Sequence, residues 1–572
     1  MNTTSVVPMM DKFIIYQIFT RLFGNQNTTN TINGTRQENG CGTFHDINDA
    51  ALASIRQFGA SHVWFTGVLE HATQTDYSRF GIKQDDPAIV KGRAGSPYAV
   101  KDYYDVDPNL AVIVPDRMAE FAALIERTHI NQLKVIIDFI PNHVARQYAS
   151  DARPDGVTDL GEQDDTSAYF APNNNFYYLP NQAFIAPEPG STWHEFPAKV
   201  TGSGSITNQP GKDDWYETVK LNYGYNLFNG TTHFSPPPAT WQQMLDILFF
   251  WAEKGVDGFR CDMAQLVPVE FWRWAIGRVK QRFPQVIFIA EIYEPDRYRT
   301  FIFDGGFDYL YDKVGLYDVL RKLMEGRGSC YEITRIWQQQ SGDYAQHMLR
   351  FLENHDEQRI ASPFFANDPW AAIPAMTVSA TLHTGPYMVY FGQEVGVRAD
   401  GAQGFSGDDG RTTIFDYWGL PDWQGYINAQ GGKPRYDGGG LTDSQRQLRA
   451  FYQQLNHLVN ESDAIQNGFF YDLQWANDKG QSEGYNADTL YSYLRYTDRQ
   501  RLLIVCNFSS DFTAETTVQI PRHAFETMGL DSARTYRFTD IFMSDTQLEV
   551  VGREGVPITL PSRAVRVFEL KG

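Results

Sequence analysis

The sequence predicts an α/β chain built on a closed (β/α)8 TIM barrel, with a subdomain inserted after strand three and a C-terminal antiparallel β-sandwich. Three observations predict it. Eight short apolar runs alternate with segments of helical period between residues 13 and 458, the pattern of parallel strands joined by crossover helices. One connection, residues 144–219, is far longer than a barrel loop needs. Beyond residue 458 the pattern changes to short strand-like runs separated by turn residues.

The strand runs are Phe13 to Tyr16, His62 to Thr66, Lys134 to Asp138, Val256 to Arg260, Val286 to Ala290, Phe307 to Tyr311, Met348 to Leu352 and Tyr387 to Phe391. Between them, Met118, Phe121, Leu124 and Ile125 share one face at helical spacing, as do Trp241, Met244, Leu245, Leu248 and Ala252. The barrel is expected to occupy 11–143 and 220–458. The stretch 144–219, rich in Asn, Pro, Gly, Asp and Tyr, forms the insert. A second irregular stretch, 398–441, forms a long loop after strand eight. A helix over Ser444 to Leu458 leads into the sandwich at 459–572, whose runs include Thr489 to Arg495, Arg501 to Asn507, Thr516 to Ile520 and Ala564 to Leu570.

Bulk properties narrow the class. A hydrophobic content of 42% is that of a globular chain, and 572 residues exceed one simple core. The formal net charge of −20 excludes a nucleic-acid or anionic-membrane partner, because phosphate contact needs concentrated Lys and Arg. Cys41, Cys261, Cys330 and Cys506 have no metal-ligand spacing and read as free thiols. No apolar run is long enough to span a bilayer, and Met1 to Lys12 lacks the basic and apolar regions of a signal peptide. The expected compartment is the cytoplasm, with a periplasmic or secreted form as the alternative.

Four acids stand at strand exits: Asp138, Asp262, Glu291 and Asp356. Carboxylates arriving repeatedly at apolar strand ends are expensive to bury, and in a barrel such exits meet around one pocket. Retaining glycoside hydrolysis needs an ionised carboxylate to attack the anomeric carbon and a protonated carboxyl to deliver a proton to the leaving oxygen. Asp262 suits the first role, because Arg260 two residues earlier shares its strand face and favours the charged form. Glu291 suits the second, since negative neighbours raise its pKa. Aromatic content of 14% supplies the flat rings on which pyranoses stack.

The motifs Asp138-Phe-Ile-Pro-Asn142-His143, Gly258-Phe-Arg260-Cys-Asp262-Met-Ala, Ile289-Ala-Glu291 and Glu353-Asn-His355-Asp356, in that order, resemble the four signature regions of the α-amylase family, glycoside hydrolase family 13. Ser96-Pro-Tyr98-Ala-Val-Lys-Asp102-Tyr and Gly385 to Glu394 support the match. The resemblance implies Asp262 as nucleophile, Glu291 as general acid/base and Asp356 as the third carboxylate. It implies Tyr98, His143, Arg260, His355 and Asp102 as substrate-binding residues, with Tyr98 the stacking platform and Asp138 a brace. The expected reaction is cleavage of α-glucosidic, α-1,4 bonds in starch or maltodextrins. A glucanotransferase or glucosyl isomerase, and a non-catalytic glucan-binding protein, are the alternatives. Expected partners are an oligo- or polysaccharide, with a monomer or homodimer as the assembly.

The chain also departs from the family. Gln265-Leu266 replaces a frequent Lys-His pair that contacts leaving-side sugars, and Lys220 stands where relatives often carry Asp. The chemistry requires no cofactor. A structural Ca2+ is an open alternative: Asn142 matches a family calcium ligand, and Asn25, Asn27 and Asn30 resemble another calcium loop.

Overall fold

The computed structural model describes residues 12–571 apart from 189, 479 and 543–545. Asp11, the expected start of the barrel, lies outside the described residues. Eight parallel strands form one sheet: β1 (Ile14–Phe19), β2 (His62–Thr66), β3 (Lys134–Phe139), β4 (Gly258–Cys261), β5 (Ile287–Ala290), β6 (Tyr309–Tyr311), β7 (Met348–Leu349) and β8 (Tyr387–Tyr390). Their order is β7-β6-β5-β4-β3-β2-β1-β8, and a parallel bridge between Arg350 and Tyr387 joins the two ends. The sheet is a closed barrel.

Alternation along each strand sorts side chains between two layers. Ile15, Trp64, Ile136, Ile289, Tyr309, Leu349 and Met388 fill the barrel interior. Their neighbours, among them Tyr16, Val63, Val135, Phe259 and Phe288, face outward beneath the helices. At Gly258 the interior leaves no room for a side chain: a Cβ there would approach Ile287 Cγ1 to 2.6 Å. That close approach lets β4 lie between β3 and β5 and brings Arg260 and Asp262 to the upper rim.

Helix α1 (Arg117–Ile130) buries Phe121, Leu124 and Ile125, with Met118 half-buried. Helix α2 (Ala239–Glu253) buries Trp241, Met244, Leu245, Leu248 and Ala252, the face that the spacing indicates. Helix α3 (Val269–Arg282) follows β4, α4 (Ala372–Thr381) precedes β8, and α5 (Asp443–Glu461) starts at a Thr442–Gln445 capping box.

The excursion after β3 opens and closes on one antiparallel pair, His143–Ala145 with Thr218–Lys220. Its own small core gathers Tyr177, Leu179, Phe184, Val200 and Tyr216. Residues 398–441, expected to be loop throughout, contain a helix at Pro421–Ile427 that buries Trp423 against Phe23 and Phe391. The Gly and Asp residues around that helix of about two turns mask its period.

The last domain carries a six-stranded antiparallel sheet. Strands β9 (Phe469–Asp472), β10 (Leu490–Tyr496), β11 (Arg501–Asn507), β12 (Ala514–Val518), β13 (Thr535–Asp540), β14 (Gln547–Val551), β15 (Val556–Leu560) and β16 (Val565–Lys571) arrange as β9-β10-β11-β16-β13-β14, with β12 and β15 a separate pair. The two layers enclose Leu494, Leu503, Val518, Phe538, Val556 and Leu560. On the barrel side, Arg495 donates to the Leu382 carbonyl at 2.9 Å, and the Tyr493 and Thr381 hydroxyls meet at 2.5 Å. The four cysteines are free. Among the described residues no helix is long and apolar enough to cross a membrane.

Candidate active site

Arg260 organises the upper rim of the barrel. Its side chain is fully buried between the rings of Trp64, Tyr98 and Tyr311, and Tyr311 accepts a hydrogen bond from Nε at 3.1 Å. One terminal nitrogen donates to Asp262 Oδ1 at 2.6 Å and lies 3.5 Å from Asp138 Oδ1. The other lies 2.9 Å from Glu291 Oε1, an ion pair out of line for a hydrogen bond. One guanidinium therefore spans two of the expected catalytic carboxylates. The polypeptide turn that follows β4 completes the contact: Met263, at φ 42°, directs its N–H to Glu291 Oε2 at 2.7 Å.

Asp356 joins them from the loop after β7. Its N–H bonds the Asn354 side chain at 2.8 Å, which fixes the turn, and its Oδ2 lies 2.9 Å from His355 Nε2. Gln17 donates to the other His355 nitrogen at 2.9 Å, so the ring proton stands on Nε2, facing Asp356. Tyr98 stacks on His355 with centroids 5.2 Å apart, and its hydroxyl lies 2.5 Å from Nε2. Asp138 accepts from the Trp64 indole at 3.1 Å and the Gly67 N–H at 3.4 Å. It is a brace beneath the site.

These groups open on a cleft of about 1000 Å³ whose walls include Tyr98, His143, Trp215, Asp262, Glu291 and Asp356. Electrostatics differ among the three acids. Burial, with the nearby charges of Asp262 and Asp356, pushes Glu291 up to about 7 against the pull of Arg260. Burial also raises Asp262, opposed by Arg260 through charge and a direct hydrogen bond. Burial would raise Asp356 too, but His355 beside it, with Arg260 and Arg411, holds it below the ordinary value. Burial and the Lys220 ammonium bring His143 down to about 3, so it is neutral.

Three expected substrate contacts differ in position. Arg260 is 0% and His355 1% exposed, and neither is among the side chains that line the cleft. Asp102, also expected at the substrate, is fully buried. Its Oδ2 accepts the N–H groups of Asp151 and Ala152 at 2.9 Å, and its Oδ1 that of Tyr104 at 2.7 Å, so it braces the insert against the barrel. Its place in a signature motif gave no sign that the side chain turns away from the cleft.

Other residues at the site were not singled out from sequence. The Tyr293 hydroxyl lies 2.5 Å from Glu291 Oε1, and the Tyr293 N–H donates to Gln265 at 2.6 Å. Gln265 thus positions the loop that carries Tyr293. Arg411 donates to the Asp356 carbonyl at 2.6 Å, and Trp215 tilts over His143 with centroids 5.2 Å apart. Tyr293, two residues past Glu291, was within reach of strand-face reasoning; Arg411 and Trp215 lie in aperiodic loops.

The asparagines proposed for calcium do not fit it. The Lys220 ammonium bonds Asn142 Oδ1, so a cation already occupies the direction in which that oxygen would coordinate metal. Asn25 donates to the Asn39 and Trp418 carbonyls and accepts from the Asn27 N–H; Asn27 bonds the Glu38 carbonyl and Thr29 N–H; Asn30 bonds both backbone groups of Gly419. These amides bridge backbone, and none of the four supplies the negative charge that calcium sites use.

Comparison with known proteins adds an independent line. The family model for the α-amylase catalytic domain matches residues 17–294. "Alpha-amylase 3" of Dictyoglomus thermophilum is 25% identical over 342 residues, covering 57% of this chain and 60% of that protein. The α-1,4-glucan:maltose-1-phosphate maltosyltransferase of Cereibacter sphaeroides is 45% identical over 265 residues, covering 44% of this chain and 33% of that one. The chain thus spans well under two thirds of either relative's length. Among solved structures, the noncanonic maltogenic alpha-amylase AmyB from Thermotoga neapolitana shares the fold, with a TM-score of 0.63 at 19% identity over 97% of this chain and 98% of that one. The matched span, just under half of the chain, runs from β1 through the loop just past Glu291, the same stretch that carries Arg260 and the two carboxylates on it, and together these similarities support an α-amylase-family enzyme.

Proposed function

We propose that the protein is a retaining glycoside hydrolase acting on α-glucosidic bonds, α-1,4 links of starch or maltodextrins foremost. The observation that carries this reading is the pairing of Asp262 and Glu291 on the single Arg260 guanidinium at the mouth of one cleft. Arg260 favours the ionised form of Asp262 through a direct bond, whereas Glu291, at about 7, keeps its proton in mildly acidic solution. In this reading Asp262 attacks the anomeric carbon while the Glu291 carboxyl protonates the departing oxygen. Glu291, now ionised, takes a proton from the water that releases the sugar from Asp262. Asp356 holds sugar hydroxyls, and Tyr98, whose ring lines the cleft, is the platform beneath the reacting sugar.

The pH dependence follows with a definite sign. Asp262 must be ionised, so activity falls as pH drops through its raised pKa. Glu291 must be protonated, so activity falls as pH rises through about 7. A transfer reaction, in which a second sugar replaces water, is the competing reading, favoured by the similarity to a named maltosyltransferase. Product analysis on maltooligosaccharides tests both. Net gain of reducing ends, abolished by several orders of magnitude in Asp262→Ala, is the expected result. Longer chains with no such gain reject hydrolysis, and full activity in Asp262→Ala rejects the catalytic assignment.

A further inference from the structure

A second group of acids lies away from the cleft, in the antiparallel hairpin Leu69–His71 and Val100–Val106 that follows β2. Glu70 comes from its first strand, Asp105 from its second and Asp151 from the insert, and one carboxylate oxygen of each lies within 4.8 Å of the other two. Glu70 is 1% exposed, and among the described residues neither of its oxygens has a hydrogen-bond partner. A carboxylate stripped of water and given no donor is among the costliest arrangements a fold can hold, so that carboxylate is aimed at something it binds.

The nearby cations do not meet this need. Arg117 bonds Asp105 Oδ2 at 2.5 Å, and Lys101 pairs with Asp85 at 3.2 Å. Asp151 and Asp102 act most strongly on Glu70, ahead of the opposing charge of Lys101, and Asp105 adds to them. The donors are all carboxylate oxygens, the set that selects a hard divalent ion, and oxygens within 4.8 Å of one another are close enough to share one ion at calcium–oxygen distances of about 2.4 Å. We infer that Glu70, Asp105 and Asp151 bind a calcium ion that fastens the insert to the barrel. Asp102 prepares the site by holding the Asp151 and Ala152 N–H groups, which turns the exposed Asp151 toward the two buried acids. The strand that carries Asp105 begins two residues after Tyr98, so the ion also steadies the segment leading from the sugar platform.

Calorimetric titration of the chelator-washed full chain with CaCl2, together with its melting temperature in EGTA and in CaCl2, tests the inference. The expected result is one calcium per chain and a melting temperature that rises with calcium. Glu70→Gln weakens binding by about tenfold or more, since a neutral amide replaces a charged ligand. Asp151→Asn does the same and guards against misfolding, because Asp151 is exposed and the bonds that hold it come from its backbone. Failure of the wild type to bind calcium in the millimolar range, or unchanged binding in both variants, overturns the inference; neither outcome bears on Asp262 and Glu291.

Discussion

Replacing Tyr293 by Phe removes one hydrogen bond from the carboxyl that is read as the general acid, and the consequence can be worked out. The hydroxyl lies 2.5 Å from Glu291 Oε1 and lowers the pKa of Glu291 by stabilising its charge. A hydrogen bond to a charged group contributes about 1.5–3 kcal/mol, and one pKa unit corresponds to about 1.4 kcal/mol. Losing it moves Glu291 from about 7 to about 8 or 9. At pH 8, about a tenth of the wild-type carboxyl is protonated but about half or more of the variant's, so the ratio of activity at pH 8 to that at the optimum rises about fivefold or more. The assay is kcat/KM on a soluble maltooligosaccharide across roughly pH 4 to 10, because its basic limb reports the free enzyme's acid. A limb that stays in place, or moves to lower pH, refutes the assignment of that limb to Glu291.

Two further perturbations have opposite or independent signs. The charge of Asp356 raises Glu291, so Asp356→Asn moves the basic limb of the same profile below about 7 while lowering kcat/KM by a factor on the order of a hundred or more; a limb shifted upward contradicts the electrostatic account. Lys220 is buried and brought down by burial to about 8 from an ordinary value of 10.5, so the folded state holds its proton less tightly than the unfolded state. Its penalty is full below about 8 and is relieved as pH rises toward 10.5, by about 2–4 kcal/mol in total. Melting wild type and Lys220→Met at pH 7 and pH 10 shows this as a difference that shifts in favour of the wild type at high pH; a pH-independent difference excludes a titrating Lys220.

The barrel was legible because its strands are short, apolar and regularly spaced, and because burial on both faces leaves them few other structures to adopt. Val256 to Arg260 and Val286 to Ala290 meet the observed β4 and β5 to within two residues at each end. The carboxylates were legible for a different reason: an acid after a buried strand has few structural explanations. What sequence left hidden depends on direction rather than residue type. Asp102 and Tyr98 share one motif, yet Tyr98 lines the cleft and Asp102 faces the backbone of the insert. His355 and Arg260 are polar residues beside the acids, and only packing shows that they reach carboxylates and not the cleft. Arg411 and Trp215 come from loops whose course is set by contacts distant in sequence, such as Arg411 on the Asp356 carbonyl and Trp215 against His143. Glu70 carried no signal, since a lone acid in a short strand reads as solvated until its burial is known.

The central claim is that Asp262 forms a covalent bond to the sugar while Glu291 handles the proton. The most direct measurement is mass spectrometry of the protein after reaction with a 5-fluoro-α-glucosyl fluoride, which slows release of a covalent glycosyl intermediate, followed by peptide mapping. The account predicts a single fluoroglucosyl adduct on the peptide that carries Asp262, absent in Asp262→Asn. An adduct on any other residue, or turnover with inversion at the anomeric carbon and no adduct, contradicts it.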